Sequence, residues 1–262
     1  MLDDLRRVLA SEPGVAYALV FDSVARDTLR PDGEVEVAIE LRAGATRDVL
    51  TLGTLAAGLA SAVGRRVDLV LLDEAPPPLA YRVFRDGRIV VEHDHAALVR
   101  RKAGVILDYL DFKPIEDLYA NRSSVVDRAL LATKIATVRD AVARVRAVLP
   151  PDASAFKDDR TAREIVILNL FVALQACLDL AAHWLADEGG DLPQRYPDFF
   201  VALAEHGVLP RDLATRLAAA SGLRNLVAHQ YGVLDWARIH AIASFELQDL
   251  ERFCAELATR GA

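Results

Sequence analysis

The sequence predicts a two-part fold: a small α+β half with a mixed sheet and flanking helices, then an all-α helical bundle. Three observations carry this. Glu34-Val35-Glu36-Val37-Ala38-Ile39-Glu40-Leu41 alternates almost strictly between carboxylates and apolar residues, the period of a strand with one face on a core. From about residue 123 onward the apolar pattern is helical instead, and it is cut by strong stops at Pro150-Pro151, Gly189-Gly190, Gly207 with Pro210, and Gly232. The 262 residues are 53% hydrophobic and 26% charged, enough to bury real cores in both halves and against the composition of disorder.

Taken in order, residues 2–10 read as a short amphipathic helix. Ala16 to Phe21 is an apolar run after Pro13-Gly14 and reads as a buried strand. A Ser-bearing turn at 22–27 and a Pro-Asp-Gly turn at 31–33 lead into the alternating strand, whose Glu34, Glu36 and Glu40 share one face. A helix over about 46–63, a strand at 67–72 carrying Asp68, a helix at 76–84 and a short strand at 88–92 follow. A helix from about Asp94 to Leu110 closes this half, and Lys113-Pro114 breaks the chain. The boundary falls within 111–122, giving domains of 1–114 and 115–262.

The second half reads as helices over about 123–149, 159–188, 196–206, 210–229 and 235–259. Asp235 is the expected N-cap of the last. Ile165, Leu168, Phe171, Val172, Cys177, Leu178 and Leu180 cover so much of the second helix that it belongs at the centre of a bundle.

Charge excludes a bulk nucleic-acid binder. The net charge is −7, with 14 basic against 18 acidic residues up to Phe112 and 17 against 20 after it. Any RNA contact must come from a local patch. Cys177 and Cys254 each sit in an apolar helical pattern, so buried free thiols are expected, and no metal spacing is present. The acidic Met-Leu-Asp-Asp start lacks a leader pattern, and no membrane span is expected, so the chain is expected in the cytoplasm. His183 reads as a core or interface histidine; His93, His95, His206 and His240 read as surface residues.

The chemistry concentrates in Arg224-Asn225-Leu226-Val227-Ala228-His229-Gln230-Tyr231. A guanidinium can fork onto phosphate oxygens, and an imidazole can move a proton near neutral pH. Five residues along a helix place Arg224 and His229 about 140° apart, so they converge only if Arg224 reaches round or the helix ends at His229. Asn225, four before His229, shares its face and can orient it or bind the phosphate. Helix-end Arg and His residues also commonly serve the C-terminal dipole, which is the bland alternative. The stretch resembles the R-x4-H-x-Y motif of HepT toxins among the HEPN ribonucleases. The resemblance runs over most of residues 120–260, including Ala181-Ala182-His183-Trp184 and the run from Tyr196 through Pro210. It implies metal-independent RNA cleavage by Arg224, Asn225 and His229 with no cofactor, a site completed across a homodimer interface, and Tyr231 as an AMP acceptor.

The first half resembles the minimal (MNT) form of polymerase-β-type nucleotidyltransferases over roughly residues 10–114. Phe21-Asp22-Ser23-Val24-Ala25-Arg26-Asp27 aligns with the family's F-G-S-x-A-R-G, Glu34-Val35-Glu36 with its D-x-D, and Asp68 with its third aspartate. The resemblance implies nucleotide binding at Asp22, Ser23 and Arg26, and metal ligation at Glu34, Glu36 and Asp68, with ATP and Mg²⁺ as cofactors if that site is active. The sequence departs at four of these positions. Asp22 and Asp27 stand where glycines let backbone N–H groups close on phosphate. Glu34 and Glu36 carry a methylene more than the aspartates, and Mg²⁺ tolerates little deviation from oxygens at about 2.0–2.1 Å. A plain solvated strand face accounts for these glutamates as well.

In those families the toxin and antitoxin are typically separate chains, and the MNT protein attaches AMP to the motif tyrosine. Here they are joined. The reading is a fused toxin–antitoxin-type protein, a HEPN ribonuclease module restrained by a degenerate MNT module, with RNA as substrate. Two others stand beside it: an antibiotic-modifying type of nucleotidyltransferase with a helical substrate-binding domain, and a binding or dimerisation protein with both sites dead.

Overall fold

The computed structural model describes residues 1–26, 33–120, 128–189, 191–229 and 234–260, with backbone alone for 224–229. The chain divides into two compact units, Met1–Lys113 and Pro114–Ala262.

The first unit is built on a four-stranded mixed sheet in the order β3-β2-β1-β4. Helix α1 (Leu2–Ala10) precedes β1 (Val15–Val20), which is buried along its whole length at the centre of the sheet. A short helix α2 (Asp22–Ala25) stands where a turn was expected. β2 (Val35–Leu41) pairs antiparallel with β1, and β3 (Val67–Leu71) runs parallel to β2. The parallel pair needs a crossover, supplied by α3 (Val49–Val63). Asp48 caps α3 by accepting from the Leu50 and Thr51 N–H groups, and Gly64 ends it in the left-handed region. Then come α4 (Pro77–Asp86) and β4 (Arg88–Glu92), antiparallel to β1. Gly87 makes that tight junction: a Cβ there would lie 2.3 Å from the Val83 carbonyl oxygen.

The alternation in β2 sorts its residues between two cores. Val35, Val37, Ile39 and Leu41 pack with Leu5 and Leu9 of α1 and Leu55 and Leu59 of α3. On the opposite face Ala38 joins Tyr17, Leu19, Ala80, Val83, Phe84, Leu98 and Val105. Glu36 and Glu40 share the Ala38 face by the strand's period of two.

Helix α5 (His95–Ala120) corrects one expectation, because it runs through Pro114 instead of ending before it. A proline inside a helix loses one hydrogen bond and costs roughly 3 kcal/mol. Phe112, Ile115 and Tyr119 are buried at helical spacing around it, and their burial offsets that cost.

The second unit is helical. α6 (Arg128–Val148) packs along α8 (Arg160–Asp187), with a short α7 (Ala153–Asp158) between them that the sequence did not announce. Asp152 caps α7 and Asp159 caps α8. α9 (Tyr196–Glu205) and α10 (Arg211–His229) pack on each other and on α8. The expected last helix is two helices, α11 (Trp236–Phe245) and α12 (Leu247–Arg260), joined at Glu246. Ile239, Ala243, Leu247, Leu250, Cys254 and Leu257 are buried in one continuous phase across the joint, so periodicity alone reads a single helix.

α8 is long and apolar enough to cross a membrane, but 67% of its most apolar stretch is buried inside the protein. It is the bundle's central helix. Polar ties bind its neighbours: Lys134 Nζ of α6 lies 2.5 Å from Asp179 of α8, and Arg216 of α10 forks onto buried Asp249 of α12 at 2.8 and 3.0 Å. Cys177 and Cys254 are free and buried. His240 is not a surface residue: it is buried beside Phe156, with Nε2 2.9 Å from the Pro150 carbonyl oxygen.

Candidate functional site

In the first unit the motif residues gather at the end of β1 and the start of β2. Phe21 ends the central strand and its N–H donates to the Glu36 carbonyl, which brings α2 against β2. The Ser23 hydroxyl donates to the Glu36 carboxylate at 3.3 Å. Glu36 faces Asp68 directly across the parallel β2–β3 pair. Glu34 does not join them, because its carboxylate takes Arg66 at 2.9 Å. Among the described residues no three His, Cys, Asp or Glu side chains gather as a metal-binding group. A two-metal nucleotidyl-transfer centre needs several carboxylate oxygens converging on its ions, and of the three candidate ligands only Glu36 and Asp68 stand opposite each other.

Asp22 has φ +49°, the one positive φ outside glycine among the described residues. That fits a position where the related family carries glycine. Its carboxylate is 3.0 Å from Arg26 and 3.5 Å from Arg82 of α4. Arg26 also lies 3.6 Å from Asp86, which Arg85 holds in a fork through Nε and Nη2, both at 2.8 Å. This pairing holds the Asp86 carboxyl below the usual carboxylate range, the fork from Arg85 being the main cause. Arg82 and Asp86 were missed in the sequence. Their one signal was the i, i+4 spacing on a helix within the stretch already matched to the MNT pattern. Asp27 lies outside the described residues.

A second polar group sits at the other end of the same sheet face. The Tyr17 hydroxyl donates to Glu40 at 3.4 Å, Arg101 lies 3.4 Å from Glu40, and Arg47 pairs with Asp73. Burial raises the Glu40 carboxyl above its ordinary value, against the pull of Arg101; burial likewise pushes the Tyr17 phenol up.

In the second unit Arg224, Asn225 and His229 lie on the last two turns of α10, and His229 is its final residue. Leu213, Leu217 and Leu223 bury one side of that helix, and Ser221 is buried with its hydroxyl donating to the Ala218 carbonyl at 2.7 Å. On this regular helix Arg224 and His229 are five residues apart, about 140° in rotation, and Asn225 is one turn before His229. Tyr231 and the Gly232 stop lie outside the described residues. His183 is half-buried and lines an open groove of about 410 Å³ with Pro114, Ile115, Leu118, Asp179 and Ala182. His206 is partly exposed and pairs with Glu188 at 2.8 Å.

The family model for polymerase-β nucleotidyltransferases matches residues 3–96, and that for ribonuclease HepT-like proteins matches residues 138–257. The mRNA nuclease HepT of Shewanella oneidensis is 33% identical over 124 residues, covering 47% of this chain and 92% of that protein. The tRNA nuclease HepT of Aphanizomenon flos-aquae is 28% identical over 83 residues, covering 32% of this chain and 56% of that one. Among solved structures, a tri-AMPylated Shewanella oneidensis HEPN toxin in complex with an MNT antitoxin aligns with a TM-score of 0.47 and 31% identity, covering 52% of this chain and 99% of that chain. Through its helical unit the chain belongs to the HepT-like HEPN ribonuclease family, and ahead of that unit residues 3–96 match the polymerase-β nucleotidyltransferases.

Proposed function

We propose that the helical unit is a metal-independent endoribonuclease worked by Arg224, Asn225 and His229, and that the α/β unit restrains it in cis without transferring AMP. The observation that carries this is the placement of those three residues at the end of α10, within the stretch that matches the HepT-like family and a relative named as an mRNA nuclease. In the reaction the 2′-hydroxyl oxygen attacks the adjacent phosphorus and the bond to the 5′ oxygen breaks. A neutral His229 takes the proton of the 2′-hydroxyl, and a protonated one gives a proton to the leaving oxygen. Arg224 stabilises the charge that builds on the phosphorane oxygens. Asn225, on the His229 face, fixes the imidazole.

Two protonation states of one residue type are needed, and five residues of regular helix set Arg224 and His229 about 140° apart in rotation. Both requirements are met if two copies of α10 meet across a two-fold axis, so the active form in this reading is a homodimer through the helical unit. Tyr231 is the hydroxyl that an MNT enzyme would modify. The α/β unit has lost the carboxylate set for Mg²⁺ and ATP, which leaves steric restraint as its way of acting. RNA is the substrate and the cytosol its place.

The test is RNA cleavage in EDTA by the full chain, by residues 115–262 alone, and by the Arg224→Ala and His229→Ala forms of each. Faster cleavage by the shorter chain, lost in both variants, is the expected result. Equal rates in all forms would reject the site, and no cleavage by any would leave a binding and dimerisation module.

A further inference from the structure

We propose that Asp22 is an internal anion seated on Arg26 and Arg82, and that it shuts soluble polyphosphate out of the α/β unit. This deepens the reading of that unit as silent in AMP transfer, and it rests on contacts that the motif does not contain. Asp22 holds a backbone conformation that is costly for an ordinary L-residue, and aspartate is among the few side chains that enter it. Something has to offset that cost. The carboxylate places one oxygen on each of two guanidiniums, Oδ1 at 3.0 Å from Arg26 and Oδ2 at 3.5 Å from Arg82. Two guanidiniums from separate elements facing one oxyanion is the arrangement by which proteins hold phosphate.

The seat continues as a ladder. Arg82, Asp22, Arg26, Asp86 and Arg85 follow one another with charges alternating. Asp22 is 24% exposed, while Arg26 and Arg82 keep 53% and 46% of their side-chain surface open. A soluble anion can therefore reach the cations, but it competes there with a tethered carboxylate. Tethering gives that carboxylate an effective concentration on the order of millimolar or more. The neighbouring Ser23 hydroxyl is turned to Glu36. Without Asp22, Arg82 loses this counter-ion and Arg26 keeps only its longer contact with Asp86 from the ladder.

The experiment is calorimetric titration of the full chain with sodium tripolyphosphate in EDTA at low salt. It compares wild type, Asp22→Gly, Asp22→Asn, and Asp22→Gly combined with Arg82→Gln. Glycine removes the carboxylate and suits the positive φ; asparagine removes the charge and also tolerates that φ, so it carries the test if the glycine form does not fold. Both single variants should bind tripolyphosphate at least tenfold more tightly than wild type, and adding Arg82→Gln should abolish the gain. Unchanged affinity in a folded single variant, tight binding by wild type, or a gain that survives Arg82→Gln would each overturn the proposal. AMP transfer is scored separately, by mass spectrometry after incubation with ATP and Mg²⁺. Labelling of wild type at Tyr231 would reject the silent-transferase reading, whereas absence of labelling with a tenfold gain would uphold both.

Discussion

In the α/β unit four residues at motif positions are spoken for by neighbours: Asp22 by two arginines, Ser23 by Glu36, Glu36 by Ser23, and Glu34 by Arg66. In the helical unit Arg224, Asn225 and His229 occupy the terminal turns of a regular helix, and in the sequence the run from Arg224 to Tyr231 keeps the whole motif. The two regions differ in what each structure demands of its sequence. β2 requires only alternation, so a glutamate serves the strand as well as an aspartate does, whatever the metal chemistry asks. α10 ends at His229, so the helix carries Arg224, Asn225 and His229 on its last turns inside the stretch that matches the HepT-like model.

The sharpest way to break this contrast is at α10. Arg224→Ala or His229→Ala should each lower RNA cleavage in EDTA by roughly 10²–10⁴-fold, the worth of a positioned acid–base or charge-stabilising group. The fold should be kept, as circular dichroism would show. A loss of folding instead would make the pair structural and erase the contrast.

Packing supplies the next effect. Phe253 is fully buried and meets Phe200 edge-to-face at 5.7 Å. Phe253→Ala should cost about 3–5 kcal/mol in denaturant unfolding. Cleavage at low temperature should fall far less than in the His229 variant, separating scaffold from site.

Smaller still is the effect of Tyr231→Phe, which should leave the cleavage rate within assay error while removing any hydroxyl for AMP to join. A large loss would make Tyr231 part of the chemistry and not only its control.

The smallest expected effect is on pH dependence in the α/β unit. Burial raises the Glu40 carboxyl in the folded chain. The folded state therefore keeps that proton to higher pH than the unfolded state, whose glutamate titrates near 4.5. Stability from this group is greatest below that value and declines as pH rises through the window between the unfolded and folded values. Glu40→Gln should flatten the fall in Tm over that window. An unchanged slope would show that Arg101, 3.4 Å away, already balances the burial.

Much of the architecture was legible because strands and helices print their own periods. The alternation of 34–41 returned as β2 with its two faces in separate cores, and the apolar run of 165–180 returned within the central helix α8, although Leu168 is exposed and Ile165, Phe171 and Val172 are only half-buried there. Periodicity failed where breaks do not disturb it. The α11–α12 joint keeps the apolar phase, and Pro114 lies among buried neighbours that hold α5 together. Contacts between distant residues were the least legible. Nothing near Asp22 in sequence announces Arg82, and nothing near Glu34 announces Arg66, because those pairings are made by the path of the sheet and α4. His240 was misread for the same reason: its partner is the carbonyl of Pro150, far back along the chain.

Asp68 has a second consequence. β3 is an outer strand of the sheet, and Asp68, its second residue, is the one exposed side chain on it. An outer strand offers unpaired backbone groups to any other strand that approaches, and a charge on it deters that pairing. Whatever became of its part in nucleotide chemistry, the carboxylate still keeps one copy's sheet from zipping onto another's. Asp68→Val should leave the protein folded and yet raise light scattering on heating, as sheets extend from molecule to molecule.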